Sequence, residues 1–371
     1  MLNTYCRLCE GACGLQAEID SSGQLAGLQG DPSDPISGGF ICETAHRSLS
    51  AMRHPDRIRQ PMRRVDGVLT PVDWETAIQE IGAQLRAIRG QTGPGSLGMY
   101  LGDSLFWSSQ DWVRSLAFGV GLGTAAVFSE LCLGAGPAAR ITEMAIGYPT
   151  YLLPDVGRAH AILLLGGDQR AVGWGPLIAG AAHERAIQHS RKTKGTRVVV
   201  ADPRRTPLAD DMDQHLAVRP GTEPFLLLGM LSAIVQGGWH DHQFVDDYTH
   251  HFERLKEAVA SWPVDRCAEI CGVEKSILSG VALKFSRAAM GTILPGRSAF
   301  LNANASLGAW AWMALHGVTA NLLRPGGLYE HRGLVDLQPL LSTIPTDAAP
   351  RTRVGGVPLL LMQAPATLLA D

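Results

Sequence analysis

Four of the chain's seven cysteines, Cys6, Cys9, Cys13 and Cys42, fall within the first 42 residues. Their spacing is C-x2-C-x3-C, then 28 intervening residues, then one more Cys. Thiolates are soft, anionic metal ligands, and several can converge on one centre only if the backbone turns tightly between them. Gly11, Gly14, Gly38 and Gly39 supply those turns. Disulfides, a structural zinc and a cubane iron–sulfur cluster are the competing chemistries. Disulfides are disfavoured in a chain of this size in a reducing compartment. Zinc favours paired C-x2-C knuckles, whereas Cys13 and Cys42 stand singly. A compact trio plus one distant Cys suits the cubane, which is the preferred reading. Cys267 and Cys271, four apart in a short helical stretch ended by Gly272, read as buried small apolar residues.

A second set of reactive residue types sits just after short apolar runs. Gly102-Asp103 follows 96–101, and Gly166-Gly167-Asp168 follows Ala161–Leu165. Asp202-Pro203-Arg204-Arg205-Thr206 follows Arg197–Ala201, and Arg219-Pro220-Gly221-Thr222-Glu223 follows His215–Val218. Gly296-Arg297 comes directly after the run that begins at Gly291. In open parallel sheets ligands bind beyond the carboxyl ends of the strands. There, glycines let backbone N–H groups approach phosphate and arginines neutralise it bidentately. An acid one βαβ unit further on grips ribose hydroxyls, and Asp202 stands 36 residues after Gly166. Any one such turn is by default a structural loop; five with the same chemistry point to a large phosphate-bearing ligand. Neither G-x-G-x-x-G nor G-x-x-x-x-G-K-[ST] is present, so neither a standard NAD site nor a P-loop is indicated. A cluster beside a nucleotide-like cradle implies electron transfer between two redox centres, without naming the second.

The elements that must hold these residues follow from the apolar pattern. Residues 1–63 read as short strands and turns, with a hairpin of Leu15–Ile19 and Leu25–Leu28. A helix starts at the N-cap Asp73 and carries Trp74, Ala77, Ile78, Ile81, Leu85 and Ile88 on one face. Apolar strands then alternate with helices at about 176–190, 224–236, 241–247, 252–260, 274–288 and 306–322. That alternation means parallel α/β units. The length of 371 residues allows two or three domains. With 46% hydrophobic and 18% charged residues, the composition excludes disorder and coiled coil. A net charge of −3 implies no general nucleic-acid binding. The amino terminus has no signal-peptide pattern, and the apolar stretches Leu116–Phe128 and Val357–Ala370 are too short or broken to span a bilayer. A cytoplasmic protein with no membrane span is expected.

On specific motifs the chain resembles the catalytic subunits of the molybdopterin oxidoreductase family, of the formate dehydrogenase and nitrate reductase type. They are Cys6-Arg7-Leu8-Cys9-Glu10-Gly11-Ala12-Cys13-Gly14, Gly30-Asp31-Pro32, Gly39-Phe40-Ile41-Cys42, and His54 to Arg64. Val72-Asp73-Trp74-Glu75-Thr76-Ala77, Pro154-Asp155, Leu165-Gly166-Gly167-Asp168, the 202–206 and 219–223 turns, and Arg324-Pro325-Gly326-Gly327 continue it. The resemblance implies a [4Fe-4S] cluster on Cys6, Cys9, Cys13 and Cys42, and a bis-molybdopterin guanine dinucleotide carrying molybdenum or tungsten. Gly166, Gly167, Asp168, Asp202, Arg204, Thr206, Arg219, Gly221 and Thr222 would line one guanosine diphosphate arm, and Gly102 and Asp103 would face the other pterin. It implies an α/β fold: a small β-rich iron–sulfur domain (1–63), then Rossmann-like parallel domains, with 64–113 the first part of one and 114–331 the pterin-dinucleotide-binding one. A return segment at 332–371 would leave the last domain incomplete and cofactor retention weak.

Three positions depart from the family pattern. Thr44 stands where many members carry a Lys bridging cluster and pterin, and the Gly-Asn-Pro turn reads Gly167-Asp168-Gln169. The metal-ligand position is open between Cys132 as a molybdenum thiolate, Cys132 as a plain buried residue, and Ser129 or no protein ligand. His160 and His183 read as structural. The implied function is two-electron chemistry on a small-molecule substrate, formate first, with electrons passing through the cluster to a partner protein or subunit. The alternatives are a non-catalytic electron-transfer or scaffold subunit that keeps the cluster without the pterin metal, and a zinc-stapled nucleotide-binding protein.

Overall fold

The computed structural model describes residues 1–330 except 10, 36, 103–104, 106–107, 130–134, 148–151, 169–173 and 176–177, and beyond 330 only 353–354 and 357–358. The amino-terminal unit is an antiparallel sheet, β1 (Leu2–Tyr5), β2 (Gly14–Ile19) and β3 (Leu25–Gly30), in that order. The β2–β3 turn closes on Asp20, whose Oδ1 accepts the N–H groups of Ser22 (2.8 Å) and Gln24 (2.9 Å). Those bonds, with the Ser22 hydroxyl first among them, hold its carboxyl below the usual range. One element departs from the expectation of strands and turns alone. Helix α1 (Glu43–Arg53) follows Cys42 directly and buries only Ala45, so it carries no apolar periodicity to announce it. It is held instead by polar means: Glu43 in the first turn, Arg53 in the last, and the Arg47–Glu43 pair at i, i+4 (2.7 Å).

A hairpin of β4 (Met62–Val65) and β5 (Val68–Pro71) leads into helix α2 (Trp74–Thr92). Asp73 caps it as expected, its Oδ1 accepting from Thr76 N–H (2.8 Å). The expected core face is bare: no residue of α2 is buried, and Trp74, Ile78 and Ile81 are 67%, 64% and 59% exposed. Strands β6 (Met99–Leu101) and β7 (Val127–Ser129) pair in parallel, joined through α3 (Ser109–Leu122), and α4 (Ala135–Ile146) follows. Trp112 of α3 packs with Leu101 and Val127 on one face of that pair.

The remainder is a parallel sheet wrapped by helices. Its elements are β8 (Leu152–Pro154), β9 (Ala161–Leu165), the two-residue strands β10 (Trp174–Gly175) and β11 (Ile178–Ala179), α5 (Gly180–Lys194), β12 (Arg197–Ala201), α6 (Pro207–Asp211) and β13 (Gln214–Leu216). Then come α7 (Glu223–Gln236), α8 (His242–Tyr248), α9 (Phe252–Ala260), α10 (Val264–Cys271), α11 (Lys275–Arg287), β14 (Gly291–Pro295), α12 (Ala305–Val318) and β15 (Leu328–Glu330). The sheet order is β13-β12-β9-β14, all parallel. Alternate side chains feed two cores. Leu163, Leu165 and Ile293 meet α7 and α12, while Ile162, Leu164, Val198 and Val200 meet Ile187 of α5 and Leu208 of α6. Strand β14 is an edge, and α12 covers it: Trp312 Nε1 donates to the Ile293 carbonyl (2.9 Å), and Ile293 N–H donates to His316 Nε2 (3.2 Å). His316 Nδ1 donates to the Trp312 carbonyl (2.7 Å), and burial depresses this imidazole to about 4, so it is neutral.

Two of the motifs behind the resemblance serve this architecture. Asp155 Oδ2 accepts from Gly326 N–H (2.8 Å), and Asp155 N–H donates to the Gly327 carbonyl (2.8 Å). They lie beside the amino ends of the strands, where His160 and Ala161 N–H donate to Met290, and fix the antiparallel β8–β15 pair.

Candidate cofactor site

Cys6, Cys13 and Cys42 are buried together in one small core with Leu15, Ile41 and Ala45. The β1–β2 connection brings the first two side by side, since Cys6 N–H donates to the Cys13 carbonyl (2.8 Å). Loop 31–39 folds over them, with Ser37 Oγ accepting from Gly14 N–H (3.1 Å) and Asp31 N–H reaching the Gly14 carbonyl (2.9 Å). Cys42 starts α1 and makes no side-chain capping bond. Cys9 lies half-buried on the same loop, its carbonyl accepting from Ala12 N–H (3.4 Å). None of the six described cysteines is in a disulfide. Burial, then the neighbouring charges of Cys6 and Cys42, pushes the Cys13 thiol up to about 11. Burial raises Cys6 as well, partly offset by the Leu8 backbone N–H. Like-charged thiolates crowd here unless a cation joins them, so metal loading at this donor set must release protons. Among the described residues no three His, Cys, Asp or Glu side chains stand as a single-ion site.

The strand-end residues meet elsewhere. Register aligns Leu165, Ala201, Leu216 and Pro295 at one level, so the turns after β9, β12, β13 and β14 emerge side by side. The order changes direction between β9 and β14, the switch point where open α/β sheets form their ligand crevice. There two backbones touch: a Cβ on Gly296 would overlap the Gly166 carbonyl, and one on Gly167 would lie 3.1 Å from the Gly296 Cα. Gly166 adopts φ 65°. Asp202, at the end of β12, is 4% exposed, with Oδ1 accepting from Arg204 N–H (2.8 Å) and the Arg204 Nε at 3.5 Å. His215 Nε2 donates to its carbonyl (2.8 Å). Glu223 in the first turn of α7 is 3% exposed, and its Oε2 has no hydrogen-bond partner among the described residues. Burial raises its carboxyl pKa; the N–H groups of Glu223 and Gly221 oppose the shift and the charge of Asp202 adds to it. Bare glycine backbone beside two buried carboxylates, one with an orphan oxygen, fits a phosphate-bearing ligand that also offers hydrogen-bond donors.

The sequence-derived residues divide accordingly. Gly166, Gly167, Asp168, Asp202, Arg204, Gly221 and Thr222 stand on the aligned strand ends. Thr206 is there too, but its Oγ1 caps α6 by accepting from Ala209 N–H (3.2 Å). The guanidinium of Arg219 donates to Glu269 and Ile270 carbonyls. Gly102 follows β6, on the separate β6–β7 pair, and is exposed. Asp103 and Cys132 lie outside the described residues, while Ser129 is buried at the end of β7. Cys267 and Cys271 are buried as read, with burial raising their thiols to about 11 and about 12. His183 is buried and depressed to about 4, and His160 is exposed. Two residues of the strand-end set take roles the sequence does not show. Glu223 closes the quoted 219–223 motif, but only the fold reveals its buried oxygen, and Gly296 matters through its contact with Gly166.

The sequence matches molybdopterin oxidoreductase over residues 57–354 and the molybdopterin oxidoreductase Fe4S4 domain over residues 2–53. The chain belongs to the molybdopterin oxidoreductase family. It is 25% identical over 298 residues to the F420-dependent formate dehydrogenase subunit alpha of Methanocaldococcus jannaschii, covering 79% of this chain and 42% of the relative. To the thiosulfate reductase molybdopterin-containing subunit PhsA of Salmonella typhimurium it is 27% identical over 337 residues, covering 89% and 42%. The fold matches acetylene hydratase from Pelobacter acetylenicus at a TM-score of 0.70 and 24% identity, over 86% of this chain and 43% of that one. The chain thus spans about two-fifths of the length of these relatives. Family membership implies a molybdopterin cofactor and a [4Fe-4S] cluster, in agreement with the resemblance. No described helix is long and apolar enough to cross a membrane.

Proposed function

We propose that this chain is an oxidoreductase module that holds a [4Fe-4S] cluster on Cys6, Cys9, Cys13 and Cys42 and the guanosine diphosphate arm of a bis-pterin cofactor at the β9/β14 crevice. The observation that carries the nucleotide assignment is the convergence of four strand ends on touching glycine backbones flanked by buried Asp202 and Glu223. The side-chain-free backbone at Gly166–Gly167 would face phosphate, Asp202 ribose hydroxyls, and the Glu223 carboxylate the N–H groups of the base. Gly102 and Asp103 would face the second pterin, and Cys132 is the proposed thiolate ligand. When bound, the pterin metal, molybdenum or tungsten, supplies two-electron chemistry and the cluster a one-electron path to a partner protein. The substrate proposed is formate, on the strength of the formate dehydrogenase relative. The proposed compartment is the cytoplasm, where the thiols stay reduced.

A second reading rests on Thr44, exposed in the first turn of α1 where a cluster-to-pterin lysine is expected: a subunit that keeps the cluster and passes electrons without a pterin metal. Metal analysis after anaerobic purification separates the two. Iron with molybdenum or tungsten supports the enzyme; iron alone supports the scaffold; zinc without visible absorption sinks both. Cys9→Ser should bleach the brown cluster absorbance. Gly296→Ala, which forces the two glycine turns apart, should lose the pterin metal and keep the iron.

A further inference from the structure

Arg219 looks by residue type like a phosphate ligand, but its hydrogen bonds run elsewhere. Its backbone N–H donates to the Cys271 carbonyl (2.9 Å), and its Nη1 donates to the carbonyls of Glu269 (2.7 Å) and Ile270 (3.2 Å). An α-helix leaves its last four carbonyls without intrahelical donors. In α10 these belong to Ala268, Glu269, Ile270 and Cys271. Val273 N–H serves the first (3.0 Å), Gly272 N–H reaches the first two (3.2 Å at Glu269), and Arg219 donates to the last three. A guanidinium there also meets the negative end of the helix dipole. Its stem lies flat on Gly272, at φ 72°, where a Cβ would come within 3.1 Å of Nε.

The bonds also run from the turn to the helix. Thr222 Oγ1 donates to the Arg219 carbonyl (2.6 Å), and the Cys271 thiol donates to the Thr222 carbonyl (3.5 Å). Helix α10 is itself fixed, since Val264, Cys267, Ala268 and Cys271 all lie in the main core. Both hydrogens of Nη1 are spent on the helix end. We infer that Arg219 is a positioning residue: it locks the end of α10 to the 219–223 turn and thereby sets Gly221, Thr222 and Glu223 against the nucleotide. This rests on the nucleotide reading of the crevice.

The test uses the full chain, produced in a host unable to make molybdopterin, with guanosine and guanosine diphosphate titrated calorimetrically. A phosphate ligand acts on the diphosphate alone; a positioning residue acts on both. Arg219→Gln should weaken both by about tenfold, as expected for bonds from a charged donor, leaving their affinity ratio unchanged. Gly272→Ala keeps the arginine and its charge but pushes its stem away, and should lower both affinities in parallel. If Arg219→Gln fails to fold by circular dichroism, Arg219→Lys, which keeps the charge without the two-carbonyl fork, should show the same parallel loss. Selective loss of diphosphate binding in the Gln variant, or unchanged affinities in Gly272→Ala or Arg219→Lys, overturns the inference. Wild-type protein that binds neither ligand overturns the nucleotide reading, and the positioning role with it.

Discussion

Residues 62–146 and residues 152–330 use the same devices, capped helices and parallel strands, with opposite results. Helices α7 and α12 bury twelve and ten of their fourteen residues, packed beside a four-stranded sheet. Helix α2, longer and with a clear apolar stripe, buries none. The sheets account for the difference. A parallel sheet needs cover on both faces, and among the described residues β6–β7 pair as two strands, with α3 on one face. On the other, the paired Tyr100 and Phe128 are 68% and 56% exposed. An apolar stripe therefore records a need for a packing partner, and only enough strands in register can meet it.

Mutation should separate the two regions. The largest effect is expected at the α7 core: Leu231→Ala, at a site with no exposure, should cost about 3 kcal/mol in urea unfolding. A change below about 1 kcal/mol would mean that the core around the four-stranded sheet is loose. Acid comes next. His316 ordinarily titrates near 6.5 but is held to about 4 in the fold, so the unfolded chain binds a proton that the folded one refuses. The contribution of His316 should be constant above about pH 6.5 and fall by about 3 kcal/mol as the pH drops from there toward 4, with buried His183, held to about 4 as well, losing stability in the same direction. Urea midpoints that do not move between pH 7 and 4.5 would contradict the buried neutral imidazole. Asp73→Ala should cost about 1 kcal/mol, felt locally as faster amide exchange at 74–77 with the global transition unmoved. Smallest of all, Ile81→Ser on the bare face of α2 should stay within about 0.5 kcal/mol; a large loss would reveal a partner for that face.

The sequence displayed the sheet well. Strands β9 and β12 were legible to the residue because continuous apolar runs stop at Gly166 and Asp202. The periodicity of α12 predicts a helix to 322, yet it ends at Val318; apolar residues continue past the stop, and only the backbone at Ala320, φ 55°, marks it. Leu116–Phe128 reads as one apolar run but is the end of α3 and the whole approach to β7, split at Gly123 in the left-handed conformation. Helix α1 has no stripe to detect. Cysteine spacing pointed to a shared centre because ligands must be clustered in sequence or tethered tightly, and the fold buries Cys6, Cys13 and Cys42 together. The crevice was half legible: which loops line it follows from strand ends, but whether a side chain faces the ligand or, like Arg219, a helix end depends on a neighbour 50 residues away.

The contact between Gly166 and Gly296 carries one more consequence. Two loops 130 positions apart in the chain share a boundary made of main chain alone. No side chain there can be exchanged to widen or narrow the floor of the crevice. Any lineage that remodels its ligand must therefore do so from the walls, while this seam can be altered only by moving two strands at once.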